Sequence, residues 1–231
     1  MVAINDIFTQ RLVFIRADAH ILEGLLTIPP HALGTILFAH GSGSSRHSTR
    51  NQFVAHHLNT QGLATLLLDL LTPSEERVDR FTSHLRFDIN LLTDRLLAAT
   101  DWAKTIQPLL SLHIGYFGAS TGAAAALAAA AQRPQFISAV VSRGGRPDLA
   151  ASALPQVLAP TLFIVGGHDD VVISLNQHAY DLVPAEKKLE IIPNATHLFE
   201  EPGALDQVAH LAAEWFTTHL PKPADAPDRH A

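Results

Sequence analysis

The feature that most constrains this 231-residue chain is a series of short, unbroken apolar runs separated by stretches of helical periodicity. The runs cover residues 35–39, 64–68, 112–117, 136–141, 161–165 and 189–192. An unbroken run, as opposed to one alternating with polar residues, marks a strand buried on both faces, as in a parallel sheet covered by helices. Between the runs, Leu92, Leu96, Ala99, Ala103 and Ile106 recur at steps of four and three and form one apolar stripe, as do Leu205, Val208, Ala212 and Trp215. Residues 123–131 are alanines with one leucine and read as a tightly packed helix. Two earlier segments, 11–16 and 21–28, read as paired strands at a sheet edge. Alternating strand and helix implies a doubly wound α/β sheet with right-handed crossovers. In such sheets ligands sit beyond the carboxyl ends of the strands, so the loops there are where chemistry is to be sought.

Length and composition bound the rest. A chain of this size suits one domain with a full core, expected over residues 1–220, with the proline- and charge-rich segment 221–231 as a flexible tail. A net charge of −6 argues against a nucleic-acid partner, which needs clustered positive charge. The absence of cysteine excludes disulfides, thiolate nucleophiles and cysteine-ligated metals. Residues 1–6 lack the basic-then-apolar order of a signal peptide, and no apolar run approaches the roughly 20 residues that cross a bilayer. A cytoplasmic location without a membrane partner is therefore expected, and oligomeric state is not legible. Fourteen histidines invite a metal reading, but none are paired four apart around an acid, so no metal is expected.

One motif carries specific chemistry. The run 112–117 leads directly into Gly118-Ala119-Ser120-Thr121-Gly122 and then into the alanine-rich helix. G-x-S-x-G between a buried strand and a helix is a nucleophile elbow: a strained turn lifts the serine hydroxyl clear of the sheet, and side chains at the glycine positions would collide with neighbouring backbone. A phosphate loop is the competing reading, but the segment lacks the P-loop lysine and the third glycine of a dinucleotide fingerprint. A serine hydroxyl needs a histidine base oriented by a carboxylate, and with an elbow these follow in the order serine, acid, histidine. The run 161–165 ends in Gly166-Gly167-His168-Asp169-Asp170, and the run 189–192 ends in Pro193-Asn194-Ala195-Thr196-His197. Asp169 and His197 are the expected partners of Ser120. Asp170 is the fallback acid and is expected to cap the next helix, and His168 is expected at the rim. The run 35–39 ends in His40-Gly41-Ser42-Gly43-Ser44-Ser45, where the backbone N–H of Ser42, with that of Thr121, is expected to hold an oxyanion. His40 is expected to brace this loop.

These motifs together, Phe38-Ala39-His40-Gly41-Ser42-Gly43, Gly118-Ala119-Ser120-Thr121-Gly122, Gly166-Gly167-His168-Asp169 and Ala195-Thr196-His197, resemble the dienelactone-hydrolase-like branch of the α/β-hydrolase superfamily. The resemblance spans nearly the whole chain. It implies an α/β-hydrolase fold with a mostly parallel sheet of about eight strands, no cofactor, and acyl-enzyme chemistry on esters or lactones. The best-known members resembled have a cysteine nucleophile. The serine here shifts the expectation towards a carboxylic ester hydrolase acting on a small-molecule ester. Residues 144–159 are too few for an inserted lid domain, so the site is expected to be open, with the polar connection 71–86 as its rim. Thioester hydrolysis and acyl transfer would use the same triad. A non-catalytic binding protein of this fold would be expected to lack one of these residues, and none is missing.

Four arginines follow strand carboxyl ends in a chain of negative overall charge: Arg46 and Arg50 beyond the oxyanion loop, and Arg143 and Arg146 after the run 136–141. Guanidinium forks suit carboxylate or phosphate. Arg46, Arg143 and Arg146 are accordingly expected to bind an anionic substrate; the alternative is that they pair with acids such as Asp148.

Overall fold

A computed structural model describes residues 8–221 of the chain. The two early segments form an antiparallel hairpin, β1 (Thr9–Ala17) and β2 (His20–Ile28), with β1 at the sheet edge. The six apolar runs become β3 (Gly34–Ala39), β4 (Leu63–Leu68), β5 (Ile114–Ala119), β6 (Ile137–Arg143), β7 (Thr161–Gly166) and β8 (Lys187–Ile192). They join the hairpin in one eight-stranded sheet of order β1-β2-β4-β3-β5-β6-β7-β8, parallel from β4 to β8. Every residue of β3, β4, β5 and β7 is buried, as unbroken apolar runs require. β8 differs because it is the other edge: its residues are mostly half-buried or exposed, and Lys187 and Lys188 precede its apolar end.

Helices cover both faces. α1 (Thr49–Thr60) and α6 (Ala204–His219) pack together on one. α3 (Ile89–Ala103), α4 (Thr121–Gln132) and α5 (Asp170–Leu182) lie on the other. α4 is buried along most of its length because its methyl side chains allow it to approach the sheet closely. A larger residue there would cost about 1–3 kcal/mol in overpacking. The stripe expected to reach Ile106 stops sooner, since α3 ends at Ala103.

The rim read as a polar connection holds a helix, α2 (Pro73–Thr82), followed by a single 3-10 turn at Leu85–Phe87. Its start is encoded locally: the Thr72 hydroxyl accepts from the Glu75 N–H at 3.2 Å, and the Glu75 carboxylate accepts from the Thr72 N–H at 2.7 Å. With Pro73 at the first helical position, this capping box stabilises α2 by about 1 kcal/mol. Between β6 and β7 there are only two 3-10 turns, Pro147–Ala150 and Leu154–Gln156, and no lid domain. No helix among the described residues is long and apolar enough to cross a membrane. The tail expected over 221–231 lies, Pro221 aside, outside the described residues.

This topology places the site. β3 has β4 on one side and β5 on the other, and the helices that follow β3 and β5 go to opposite faces. A crevice therefore opens beyond their carboxyl ends, where His40 and Ser120 begin their loops.

Candidate active site

Ser120 sits between β5 and α4 with φ 51° and ψ −120°, a conformation that costs a non-glycine residue energy and persists only when the surroundings impose it. Here its N–H donates to the Arg143 carbonyl at 3.2 Å, and its own carbonyl accepts from the N–H groups of Ala123 and Arg146, each at 3.1 Å. The glycines are required by contact. A Cβ at Gly118 would stand 2.4 Å from Ala123 Cα, and one at Gly122 would stand 2.1 Å from the Ala39 carbonyl oxygen.

The loops after β7 and β8 are stitched together by backbone. Gly167 N–H donates to Ile192 O at 2.8 Å and His168 N–H to Ala195 O at 2.9 Å. This brings His197 Nδ1 to 2.6 Å from Asp169 Oδ2. An ionised carboxylate can only accept, so Nδ1 carries the imidazole proton and Nε2 keeps its lone pair. Asp169, and not Asp170, occupies the N-cap position of α5; its side chain caps nothing because it is turned to His197, and Asp170 is already the first helical residue. The expected capping by Asp170 is thus corrected. His168 is exposed. Ser120 and His197 line one cavity of about 160 Å³. The Ser120 hydroxyl makes no hydrogen bond among the described residues; in unliganded sites such contacts are often long and tighten on binding.

The loop after β3 lies against the elbow, with Ser42 Oγ 3.1 Å from Thr121 Oγ1. No described residue accepts from the Ser42 N–H, and Thr121, first in α4, has no intrahelical acceptor for its N–H. Two donors are therefore left free beside Ser120. His40 is buried beneath this loop. Its Nε2 accepts the Leu70 N–H at 3.1 Å, and its Nδ1 lies 2.9 Å from the Gly41 carbonyl. Burial holds its pKa below the usual histidine value, against the opposing pull of the Gly41 carbonyl and of Asp69 and Glu76.

The arginines divide. The Arg46 guanidinium is ion-paired to Asp69 and, at 2.6 Å, to Glu23, while the Arg46 backbone N–H donates to Asp69 Oδ1 at 2.6 Å. Arg146 forms a fork on Asp148 at 2.9 and 2.8 Å. Neither lines the cavity shared by Ser120 and His197; carboxylates from the protein already hold both, contrary to the substrate-binding expectation. Arg143 and Arg50 do line it. Two features have no local sequence signal: Asn51 and Phe199, which flank the Arg143 guanidinium, and the Asp79–Arg86 pair at 2.6 Å. The latter borders a second cavity of about 270 Å³, on the Thr121 side of the loop. Burial would raise the Asp79 pKa, but hydrogen bonds from Arg86 and Leu85 outweigh it and hold it below the usual carboxylate value. No three acids or histidines cluster as metal ligands among the described residues.

Comparison with known proteins agrees with this fold. The model of the dienelactone hydrolase family matches residues 23–219. A crystal structure of a dienelactone hydrolase from Anabaena variabilis is 57% identical, with a TM-score of 0.91 over 93% of this chain and 99% of that one. Est1E from Butyrivibrio proteoclasticus shares the fold at 18% identity and a TM-score of 0.76, over 90% of this chain and 98% of its own. A dienelactone hydrolase-like promiscuous phosphotriesterase from metagenomic libraries does so at 17% and 0.75, over 93% and 99%. A Mycobacterium tuberculosis protein with the provisional name phosphoribosyl transferase is 57% identical over 199 residues, 86% of this chain. The chain spans 44% of the length of that relative.

Proposed function

The chain belongs to the dienelactone hydrolase family, and from that premise we propose that it hydrolyses small carboxylic esters or lactones through an acyl-enzyme on Ser120. The observation that carries the reading is the 2.6 Å contact between Asp169 and His197 at the mouth of a cavity that also holds the strained Ser120. His197 Nε2 takes the Ser120 proton as the oxygen attacks the acyl carbonyl, and Asp169 steadies the imidazolium. The N–H groups of Ser42 and Thr121 hold the oxyanion. His197 then protonates the leaving alkoxide, and a water molecule repeats the cycle to free the acid. Without a lid domain, the site suits short, water-soluble esters.

The transferase name belongs to a protein of which this chain spans less than half. An activated serine serves acyl transfer and not displacement at a sugar carbon, so the reading follows the site and not that name.

The test is Ser120→Ala, assayed on a panel of p-nitrophenyl esters and lactones, with fluorophosphonate labelling of the wild type. Labelling at Ser120 and a fall in kcat of about a thousandfold or more in a folded variant are expected. A variant that keeps most of its activity on every substrate found would overturn the proposal.

A further inference from the structure

Arg143 ends β6 and is 8% exposed, yet no carboxylate among the described residues meets it. Its Nη2 reaches Asn51 Oδ1 only at 3.5 Å, its Nε and Nη1 are buried without partners, and its guanidinium lies 5.7 Å from the Phe199 ring centroid. A second cation faces the same cavity. Arg50, from α1, pairs through Nη1 with Glu200, whose side chain is 62% exposed, while its Nε is buried and unpartnered. Burial and the charge of Arg50 together push the Arg143 pKa down to about 10. Two arginines with buried, unused donors thus line one cavity of about 160 Å³ together with Ser44, Ser48, Ser120 and His197. Buried donors without acceptors are unfavourable, and a buried cation is tolerated where an anion completes it.

The side of the site matters. Gly41, Ser42 and Ser44 line both cavities, so the two adjoin at this loop, one continuing to His197 and the other to Thr121 and Leu71. In the chemistry proposed above, the histidine that deprotonates the serine next protonates the leaving oxygen, so the alcohol portion lies on the histidine side. On the Thr121 side, Arg86 is already neutralised by Asp79, and the exposed Arg80 shares the lining with Glu76.

We propose that the alcohol portion of the substrate carries an anionic group, carboxylate or phosphate, held by Arg143 and Arg50, while the acyl portion lies on the Thr121 side. This rests on the reading of Ser120 as nucleophile. The reaction balances as hydrolysis: the acyl carbon–oxygen bond breaks, water supplies the hydroxyl of the acid, and the anionic alcohol leaves with the proton from His197.

The experiment compares kcat/KM for O-acetylglycolate, 2-(phosphonooxy)ethyl acetate, neutral O-acetylglycolamide and monomethyl succinate, whose charge is on the acyl side. Wild type is expected to favour one of the first two over the amide; which one it favours tells carboxylate from phosphate. In Arg143→Gln the ratio of that ester to the amide should fall by about ten- to a hundredfold, the range for losing hydrogen bonds to a charged group. Arg143→Lys should recover part of it, and Arg46→Gln should leave the ratio at the wild-type value. If Arg143→Gln does not fold, Arg50→Gln takes its place, with a smaller fall expected. An unchanged ratio, or a fall of the same size for monomethyl succinate, overturns the proposal. Fluorophosphonate labelling separates the two readings: labelled enzyme that ignores substrate charge defeats only the anion subsite, whereas enzyme that neither labels nor turns over any ester defeats the serine-hydrolase reading beneath it.

Discussion

Arg46 and Arg143 both lie towards the carboxyl end of a central strand, Arg46 in the loop after β3 and Arg143 as the last residue of β6, yet their surroundings are opposite. Arg46 is held by Asp69 and Glu23 and supports the loop through its own backbone N–H as well. Arg143 is more deeply buried, meets no acid among the described residues, and shares its cavity with a second arginine. The difference separates two uses of a buried cation. Where the protein supplies the counter-charge, the arginine is a structural tie. Where it supplies none beside a reactive centre, the missing partner points to a ligand.

Removing each charge with a side chain of similar length should expose that difference. Arg46→Met strands two carboxylates whose side chains are 14% and 29% exposed. Breaking a fully buried pair costs about 3–5 kcal/mol and a surface pair about 0–1, so about 2 kcal/mol of stability should be lost here. Arg143→Met removes a cation that no protein anion stabilises, and relieves its repulsion with Arg50. Its stability should equal that of wild type or exceed it by about 1 kcal/mol. Urea unfolding of the three proteins at neutral pH checks both. Equal losses in the two variants would break the comparison, since they would mean that Arg143 is as well compensated as Arg46.

The same pair shows where sequence reading stops. Runs such as 35–39 and 161–165 revealed their strands because burial on both faces demands unbroken hydrophobicity, a local property. The elbow was legible for a similar reason, since Gly118 and Gly122 are fixed by contacts within a few residues or with the neighbouring strand. The contact between Asp169 and His197 was foreseeable because each lies in the short loop after a recognisable strand. An arginine's partner has no such signature: Glu23 lies on the hairpin and Asp69 after β4, each 23 residues from Arg46 in opposite directions. Only Arg146, two residues from Asp148, had a local partner visible in the sequence. β8 misled in the other direction, because an edge strand can keep an apolar end while exposing the rest.

The smallest effect concerns His40, which ties the loop on the Arg46 side to the end of β4 and so tests whether that side is structural throughout. Its Nε2 accepts the Leu70 N–H, a bond only the neutral ring can make, and burial lowers its pKa from the ordinary value of 6.5. The native state thus binds a proton more weakly at this position than the unfolded chain does. Wherever the unfolded state holds more protons, stability rises with pH. The contribution of His40 is therefore complete above about pH 6.5 and is lost as the pH falls through the lower native value. The slope cannot exceed about 1.4 kcal/mol per pH unit, the limit for one proton. His40→Gln, whose amide can both accept from Leu70 and donate to Gly41, should lower stability at pH 7.5 but lose less of it on going to pH 5.5 than wild type does. All other groups are common to the two proteins and cancel in the difference. Parallel stability curves for the two proteins between pH 7.5 and 5.5 would show that His40 does not couple protonation to the loop, and that the Arg46 ion pairs alone hold it.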